Sequence, residues 1–209
     1  MTTVLRADDA AALDAARDAL ASGGLVVVPT DTVYGLAARP MNPEAVRAVY
    51  RAKGRPEGMH LPVLASDVDQ VRALGVSYGP LVHELASRWW PGPLTMAFAF
   101  DTESLRPEWL AGRDEVAVRI PNHAFLRSLL ATTGVLVVTS ANPHGSPTPR
   151  TAQDVAGGEL GQSVDVIIDG GPLTEVPSTL VNVAGPTAVV EREGTIPADD
   201  IARALSGVQ

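Results

Sequence analysis

Cysteine is absent from the 209-residue chain. That removes disulfide scaffolds, thiolate metal clusters and cysteine nucleophiles together. Aromatic residues make up only 4%, and lysine occurs once, at Lys53, beside 15 arginines. Long apolar runs are also missing: residues 25–28 and 135–138 fall far short of the roughly 20 needed to span a bilayer. The first twenty residues carry Asp8, Asp9, Asp14 and Asp18, the wrong charge for a secretory leader. The expectation is a cytoplasmic protein without membrane association. Basic residues are outnumbered 16 to 24, for a net charge of −8. Sequence-independent clamping of DNA or RNA works by neutralising phosphates and is disfavoured on such a chain. A single basic cleft on an acidic body is not, because local potential captures a small anion.

What is present describes one folded domain, residues 1–209. Apolar residues make up 45% and charged residues 19%, a balance that excludes disorder. A chain of this size buries about 70% of its unfolded surface and needs no staple. Leu13, Ala16 and Leu20 recur at helical spacing behind Asp8 or Asp9 as a cap, and Gly23-Gly24 stops that helix. Residues 25–28 form a continuous apolar run suited to a strand buried on both faces. Asn42-Pro43-Glu44 supplies an N-cap, a proline at the first helical position and an acid in the first turn. That helix runs out near Lys53-Gly54. Further strands are expected at 61–65, 95–100, 116–120, 135–139, 164–168, 179–183 and 187–191, and helices at 80–90, 123–132, 151–156 and 198–205. Interspersed strands and helices predict an α/β fold with a mixed sheet between helices, antiparallel where strands follow one another at the C-terminal end.

Several common chemistries are excluded by motif. There is no Gly-x-x-x-x-Gly-Lys loop, no Gly-x-Gly-x-x-Gly after a strand and no Gly-x-Ser-x-Gly elbow. His60, His83, His123 and His144 show no paired metal-ligand spacing. What remains is a series of polar clusters, each following a strand or helix. Thr30-Asp31-Thr32-Val33-Tyr34-Gly35 offers hydroxyls and a flat aromatic wall, or a turn that satisfies its own backbone. Lys53-Gly-Arg-Pro56 places a mobile point charge and a planar fork near one point, a combination suited to phosphate, or a solvated helix end. Arg119-Ile-Pro121 ends an alternating strand with a carboxylate-binding fork or an ordinary ion pair. Thr139-Ser140-Ala141-Asn142 supplies donors and acceptors before a Pro/Gly-rich loop to Arg150, and Ser178 and Arg192 extend the set. Trp89-Trp90-Pro-Gly-Pro93 is read as structural bulk. Ligands of open α/β sheets lie beyond the carboxyl ends of strands, so these clusters are expected to converge on one cleft. The inventory is cationic and hydroxylic, suited to a phosphorylated ligand beside a small carboxylate. Its chemistry would come from positioning and charge stabilisation.

In order, Pro29-Thr-Asp-Thr-Val-Tyr-Gly-Leu36, Lys53-Gly-Arg-Pro56, Pro91-Gly-Pro-Leu-Thr95, Val118-Arg-Ile-Pro121, Thr139-Ser-Ala-Asn142 and Pro177-Ser-Thr179 resemble the YrdC-like threonylcarbamoyl-AMP synthases, in their short single-domain form. The resemblance runs from about Leu5 to Arg192. It implies a twisted mixed sheet with helices around a deep positive cavity. It also implies formation of threonylcarbamoyl-AMP, pyrophosphate and water from L-threonine, bicarbonate and ATP with Mg²⁺, with no tightly bound protein metal. The product would feed tRNA threonylcarbamoyl-adenosine formation through downstream modification proteins, with weak RNA contact at most. By motif position, Lys53 and Arg55 would act on phosphates and carbamate oxygens as the catalytic cations. Thr32, Tyr34, Arg119, Ser140 and Ser178 would hold threonine and bicarbonate, with Arg119 on the threonine carboxylate. Asn142, Arg150 and Arg192 would join Lys53 and Arg55 on the nucleotide.

Three places depart from the family pattern. Met59-His60-Leu61 stands where many members read Asn-Pro-Leu. Leu64 occupies a position where longer members often carry a histidine near threonine. Glu115 replaces a common threonine, and an acid facing phosphates would repel them, so it must point away or alter nucleotide binding. Two other readings fit the same residues: a related carbamoyl-adenylate-forming carbamoyltransferase, and an RNA-binding module of tRNA or ribosome maturation.

Overall fold

Asn42 opens the helix that the sequence marks most clearly. Its side chain accepts from the backbone N–H groups of Glu44 and Ala45, and α2 (Pro43–Lys53) closes on Gly54 in the left-handed conformation at φ 58°, where a side chain would be strained. The computed structural model describes residues 2–101, 106–174 and 176–207. Around α2 lie β1 (Thr3–Arg6), α1 (Ala12–Ala21), β2 (Val26–Val28), β3 (Gly35–Ala38), β4 (Val63–Leu64), α3 (Val68–Arg72), α4 (Pro80–Trp89), β5 (Leu94–Ala99), β6 (Glu115–Arg119), α5 (Ala124–Thr133), β7 (Leu136–Ser140), α6 (Ala152–Gly157), β8 (Val166–Asp169), β9 (Thr179–Asn182), β10 (Val189–Arg192) and α7 (Ala198–Leu205). The strands form one sheet in the order β1-β8-β2-β3-β7-β4-β6-β5-β9-β10. The pairs β1/β8, β2/β8, β4/β6 and β5/β9 are parallel and the others antiparallel, so the sheet is mixed as expected. Among the described residues no helix is long and apolar enough to cross a membrane.

The core has two parts, one on each face. On one face Ala12, Ala16 and Leu20 of α1 and Leu126, Leu129 and Leu130 of α5 are fully buried against Val26, Val28 and Leu136. On the other, Val27, Val137 and Val118 meet residues of α2, α4 and α7. β2 alternates Val26 and Val28 to one side and Val27 to the other, which is why its sequence is continuously apolar. Each buried leucine of the α1/α5 layer contributes roughly 1.5–3 kcal/mol by removal from water.

Five features differ from the sequence reading. β1, β3 and α3 were not expected as elements. Gly35-Leu-Ala-Ala38 lacks the β-branched signal of a strand, and it is a strand because it pairs antiparallel with both β2 and β7; Gly35 permits the close approach, since a Cβ there would stand 2.5 Å from Cγ1 of Val138. Neither Asp8 nor Asp9 caps α1, whose N-cap is Ala11 without a side-chain bond. Asp9 Oδ2 instead accepts the backbone N–H of Arg6, and Asp8 pairs with the Arg6 guanidinium. At the C-terminal end β9 and β10 pair antiparallel as expected, whereas β8 leaves for the far side of the sheet, between β1 and β2.

Candidate active site

The pleat of the sheet builds the site. Along β5, β6 and β9, Leu94, Met96, Val116, Val118 and Val181 point into the core. Their alternates Thr95, Ala117, Arg119 and Leu180 line a cavity of about 380 Å³ on the opposite face. Thr30, Thr32 and Val33 enter it from the loop after β2, and Val138, Thr139 and Ser140 from β7. Arg55, His60, Pro177, Ser178 and Arg192 supply much of the remaining rim. Three arginines and no carboxylate residue are among its described lining residues.

Arg119 is the most constrained of these groups, with 5% of its surface exposed. Its Nε donates to the Gly92 carbonyl at 2.9 Å, Nη1 to Thr32 Oγ1 at 2.9 Å and Nη2 to Asp31 Oδ1 at 2.6 Å. Asp31 Oδ1 also accepts the backbone N–H of Asn122 at 3.0 Å. Three of the five guanidinium donors are thereby engaged among the described residues, leaving one N–H on each Nη for a ligand. Burial pushes the Arg119 guanidinium downward from its ordinary value, the Asp31 carboxylate opposes that, and the nearby cation Arg192 adds to it. Thr30 stiffens the same loop: its Oγ1 donates to the Val33 carbonyl and accepts from the N–H groups of Thr32 and Val33. The loop is thus both a self-satisfied turn and a cavity wall.

On the other side, Ser178 Oγ lies 2.8 Å from Thr95 Oγ1, and Arg192 Nη2 donates to the Ser178 carbonyl at 2.9 Å. Ser178 is held there by close backbone packing, since a Cβ on Gly194 would come within 2.3 Å of the Pro177 carbonyl oxygen. Arg55 Nη2 donates to the His60 carbonyl at 3.1 Å, so its guanidinium folds over its own loop. Lys53 is 3% exposed, and its ammonium donates to the backbone carbonyls of Ser140 and Asn142. The Lys53 carbonyl in turn accepts the His144 N–H at 2.7 Å. The end of α2 and the loop after β7 are therefore stitched together. Burial, with a smaller effect from Arg55, pushes the Lys53 ammonium down to about 8.

The structure thus brings Thr32, Arg55, Arg119, Ser140, Ser178 and Arg192 to one cavity, with Lys53 behind Ser140. Asn142 and Arg150 line a neighbouring cavity of about 320 Å³, which shares Thr148 with the first. Asn142 Oδ1 is buried there without a hydrogen-bond partner among the described residues, an acceptor left over for a donor yet to arrive. Tyr34 requires a correction. It is fully buried, does not line the cavity, and its hydroxyl donates to the Gly171 carbonyl at 2.7 Å and accepts the Gly170 N–H at 3.1 Å. Burial pushes its phenol up to about 12. Tyr34 sits at the inward alternate of the pleat, one residue past the turn. Tyr34→Phe is expected to cost about 1–3 kcal/mol of stability and to leave ligand affinity unchanged, as denaturant titration beside ligand calorimetry would show.

Glu115 lies two residues out from Ala117 on the same face of β6, yet its carboxylate accepts from Asn182 Nδ2 at 3.1 Å and it is not a lining residue. It points away. Leu64 lines the cavity as an apolar wall. Sequence reasoning passed over Thr95, Thr148, Asp31 as the Arg119 partner, and the Gly92 carbonyl. Thr95 closes the Pro91-Gly-Pro-Leu-Thr motif and was findable from strand alternation.

Residues 18–194 match the model of the Sua5/YciO/YrdC family, described as telomere recombination. The chain belongs to this family. Threonylcarbamoyl-AMP synthase of Bacillus subtilis is 36% identical over 85% of this chain, and that of Pyrococcus abyssi 33% over 90%. The chain spans 51% and 55% of those two proteins, about half their length. It spans 82% of the shorter threonylcarbamoyl-AMP synthase of Marinobacter nauticus, at 36% identity over 74% of this chain. Among solved structures, P. abyssi Sua5 complexed with L-threonine superposes with a TM-score of 0.86 at 31% identity, covering 99% of this chain and 60% of that one. Escherichia coli YciO, at 24% identity and a TM-score of 0.82 over 94% of this chain and 97% of that one, shares the fold.

Proposed function

We propose that this protein joins L-threonine, bicarbonate and ATP into threonylcarbamoyl-AMP, releasing pyrophosphate and water. The observation that carries this reading is the buried Arg119 guanidinium, fixed by Asp31, Thr32 and Gly92 with an N–H left on each Nη, in a cavity that also holds two further arginines. The relationship to proteins named threonylcarbamoyl-AMP synthase, and to a Sua5 that binds L-threonine, supports it.

Arg119 takes the threonine carboxylate through those two donors, a charge-assisted fork that fixes orientation as well as affinity. Thr32, Ser140 and Ser178 hold the remaining polar atoms of threonine and of the carbamate made from it. ATP enters as its magnesium complex, its phosphates drawn to Arg55 and Arg192, and the Asn142–Arg150 cavity accommodates the nucleoside end. A carbamate oxygen then attacks the α-phosphorus in line and pyrophosphate leaves. Cations already in place stabilise the charge on the transferred group without a covalent intermediate on the protein. Lys53 holds the Ser140–Asn142 wall and adds its charge to the field there. The product would pass to proteins that modify tRNA.

Mass spectrometry of reactions run with ¹³C-bicarbonate tests the reading. Threonylcarbamoyl-AMP carrying the label is the expected product. Adenylate formed only when carbamoyl phosphate replaces bicarbonate would assign the protein to carbamoyl transfer instead.

A further inference from the structure

The proposed reaction has a proton to dispose of. Threonine enters as an ammonium, and R–NH₃⁺ plus HCO₃⁻ gives R–NH–COO⁻, water and one proton. The C–N bond forms as a C–O bond of bicarbonate breaks, the oxygen leaves as water, and the ammonium proton must be accepted nearby. The cavity walls hold arginines, which stay protonated, and hydroxyls, which are poor bases near neutrality. They hold no aspartate or glutamate among the described residues, and Asp31 is committed to Arg119. One lining side chain carries an imidazole nitrogen that can take up a proton and hand it on: His60.

We propose that His60 is the proton acceptor for threonine, a role that rests on the synthase reading. His60 shares the cavity with Thr32, Arg119 and Ser140 and is also exposed at its mouth, so a proton taken inside can be passed to bulk water. Its backbone is fixed by Arg55, which donates to the His60 carbonyl at 3.1 Å and contacts the Met59 carbonyl. Tyr50 steadies the same loop by donating to the Met59 carbonyl at 3.1 Å. Arg55, Arg119 and Arg192 line the cavity with His60; Glu57 lies on its own loop, and Tyr50, which holds that loop, also faces Arg113, Arg55 and Glu57. Burial pushes the Tyr50 phenol up and the Lys53 ammonium down to about 8. Among the lining side chains the imidazole is the one suited to accept the ammonium proton.

The test is the rate of pyrophosphate release, dependent on threonine and bicarbonate, from about pH 6 to 9, for the wild type, His60→Ala and His60→Gln. Both variants are expected to fall about 100-fold near neutral pH, within the range of a lost general base, and to lose the wild-type acid limb. The ratio of wild-type to variant rates should shrink as alkaline pH supplies threonine with its amine already free. Lys53 is common to all three proteins and cancels from that ratio. ATP calorimetry checks that each variant remains folded. Wild-type rates in His60→Ala, or a loss that is the same at every pH, would overturn the assignment. A wild type that releases no pyrophosphate in response to threonine would instead remove the synthase reading itself.

Discussion

Arg119→Ala is expected to weaken threonine by at least about 100-fold while changing ATP affinity far less. Two effects add. The variant loses a charge-assisted fork to the ligand carboxylate, and such hydrogen bonds are worth roughly 1.5–3 kcal/mol. It also leaves Asp31, which is 14% exposed, without its cation, and breaking a buried pair on one side costs about 3–5 kcal/mol of stability. Arg119→Lys separates the two. It keeps a positive charge beside Asp31 and loses the planar geometry that reaches Gly92, Thr32 and a ligand at once. Arg119→Lys should therefore fold and still bind threonine poorly, as calorimetry with each substrate would show. Wild-type threonine affinity in Arg119→Lys would remove Arg119 from the carboxylate.

The second large effect belongs to Lys53. Lys53→Met keeps the volume and removes the ammonium that holds the Ser140 and Asn142 carbonyls. Pyrophosphate release is expected to fall by about 100-fold or more, since a wall displaced by about 1 Å costs that much. The pH dependence carries a distinct signature. The charged form holds the wall, so activity should decline as pH rises through about 8.

Stability should move the other way. The folded-state value is depressed from 10.5 to about 8, so between those values the unfolded chain binds more protons than the folded one. The Lys53 contribution to stability is therefore present above 10.5 and lost as pH falls through about 8. Relative to Lys53→Met, the wild type should grow more stable from about pH 8 to 10 while its activity drops. Tyr34 acts in the opposite sense: its folded value is raised from 10.0 to about 12, so its contribution is present below 10.0 and fades only above it. Denaturant midpoints across this interval, set beside the rate profile, would show whether the two trends diverge.

How much of this was legible in the sequence depends on whether a feature is local. α2 was, because Asn42, Pro43 and Gly54 each do something a neighbour in sequence can recognise. The two faces of β2 were, because three consecutive buried valines leave no polar side. β3 was not, because its reason for being a strand is its pairing with β7, a hundred residues away, beside whose Val138 only a glycine fits at position 35. Strand order was equally hidden: β4 is two residues long and lies between β6 and β7, a placement decided by tertiary packing.

In the site, motif position brought six of the named residues to one cavity, yet it could not tell where the turn facing that cavity gives way to the chain that enters the core. Tyr34 follows Thr32 by two residues and belongs to the core, its hydroxyl claimed by Gly170 and Gly171. The sole lysine stood out by composition, but its carbonyl partners lie 87 and 89 residues away. Glu115 was flagged as a repulsive acid, and Asn182 on β9 is what turns it aside.

The most direct measurement is pyrophosphate release from ATP with bicarbonate, in the presence and absence of L-threonine and with L-serine as the control. Release that requires ATP, bicarbonate and threonine together, and is much slower with serine, is the expected result. Release indifferent to threonine, or ATP binding with no release at all, would contradict the synthase reading.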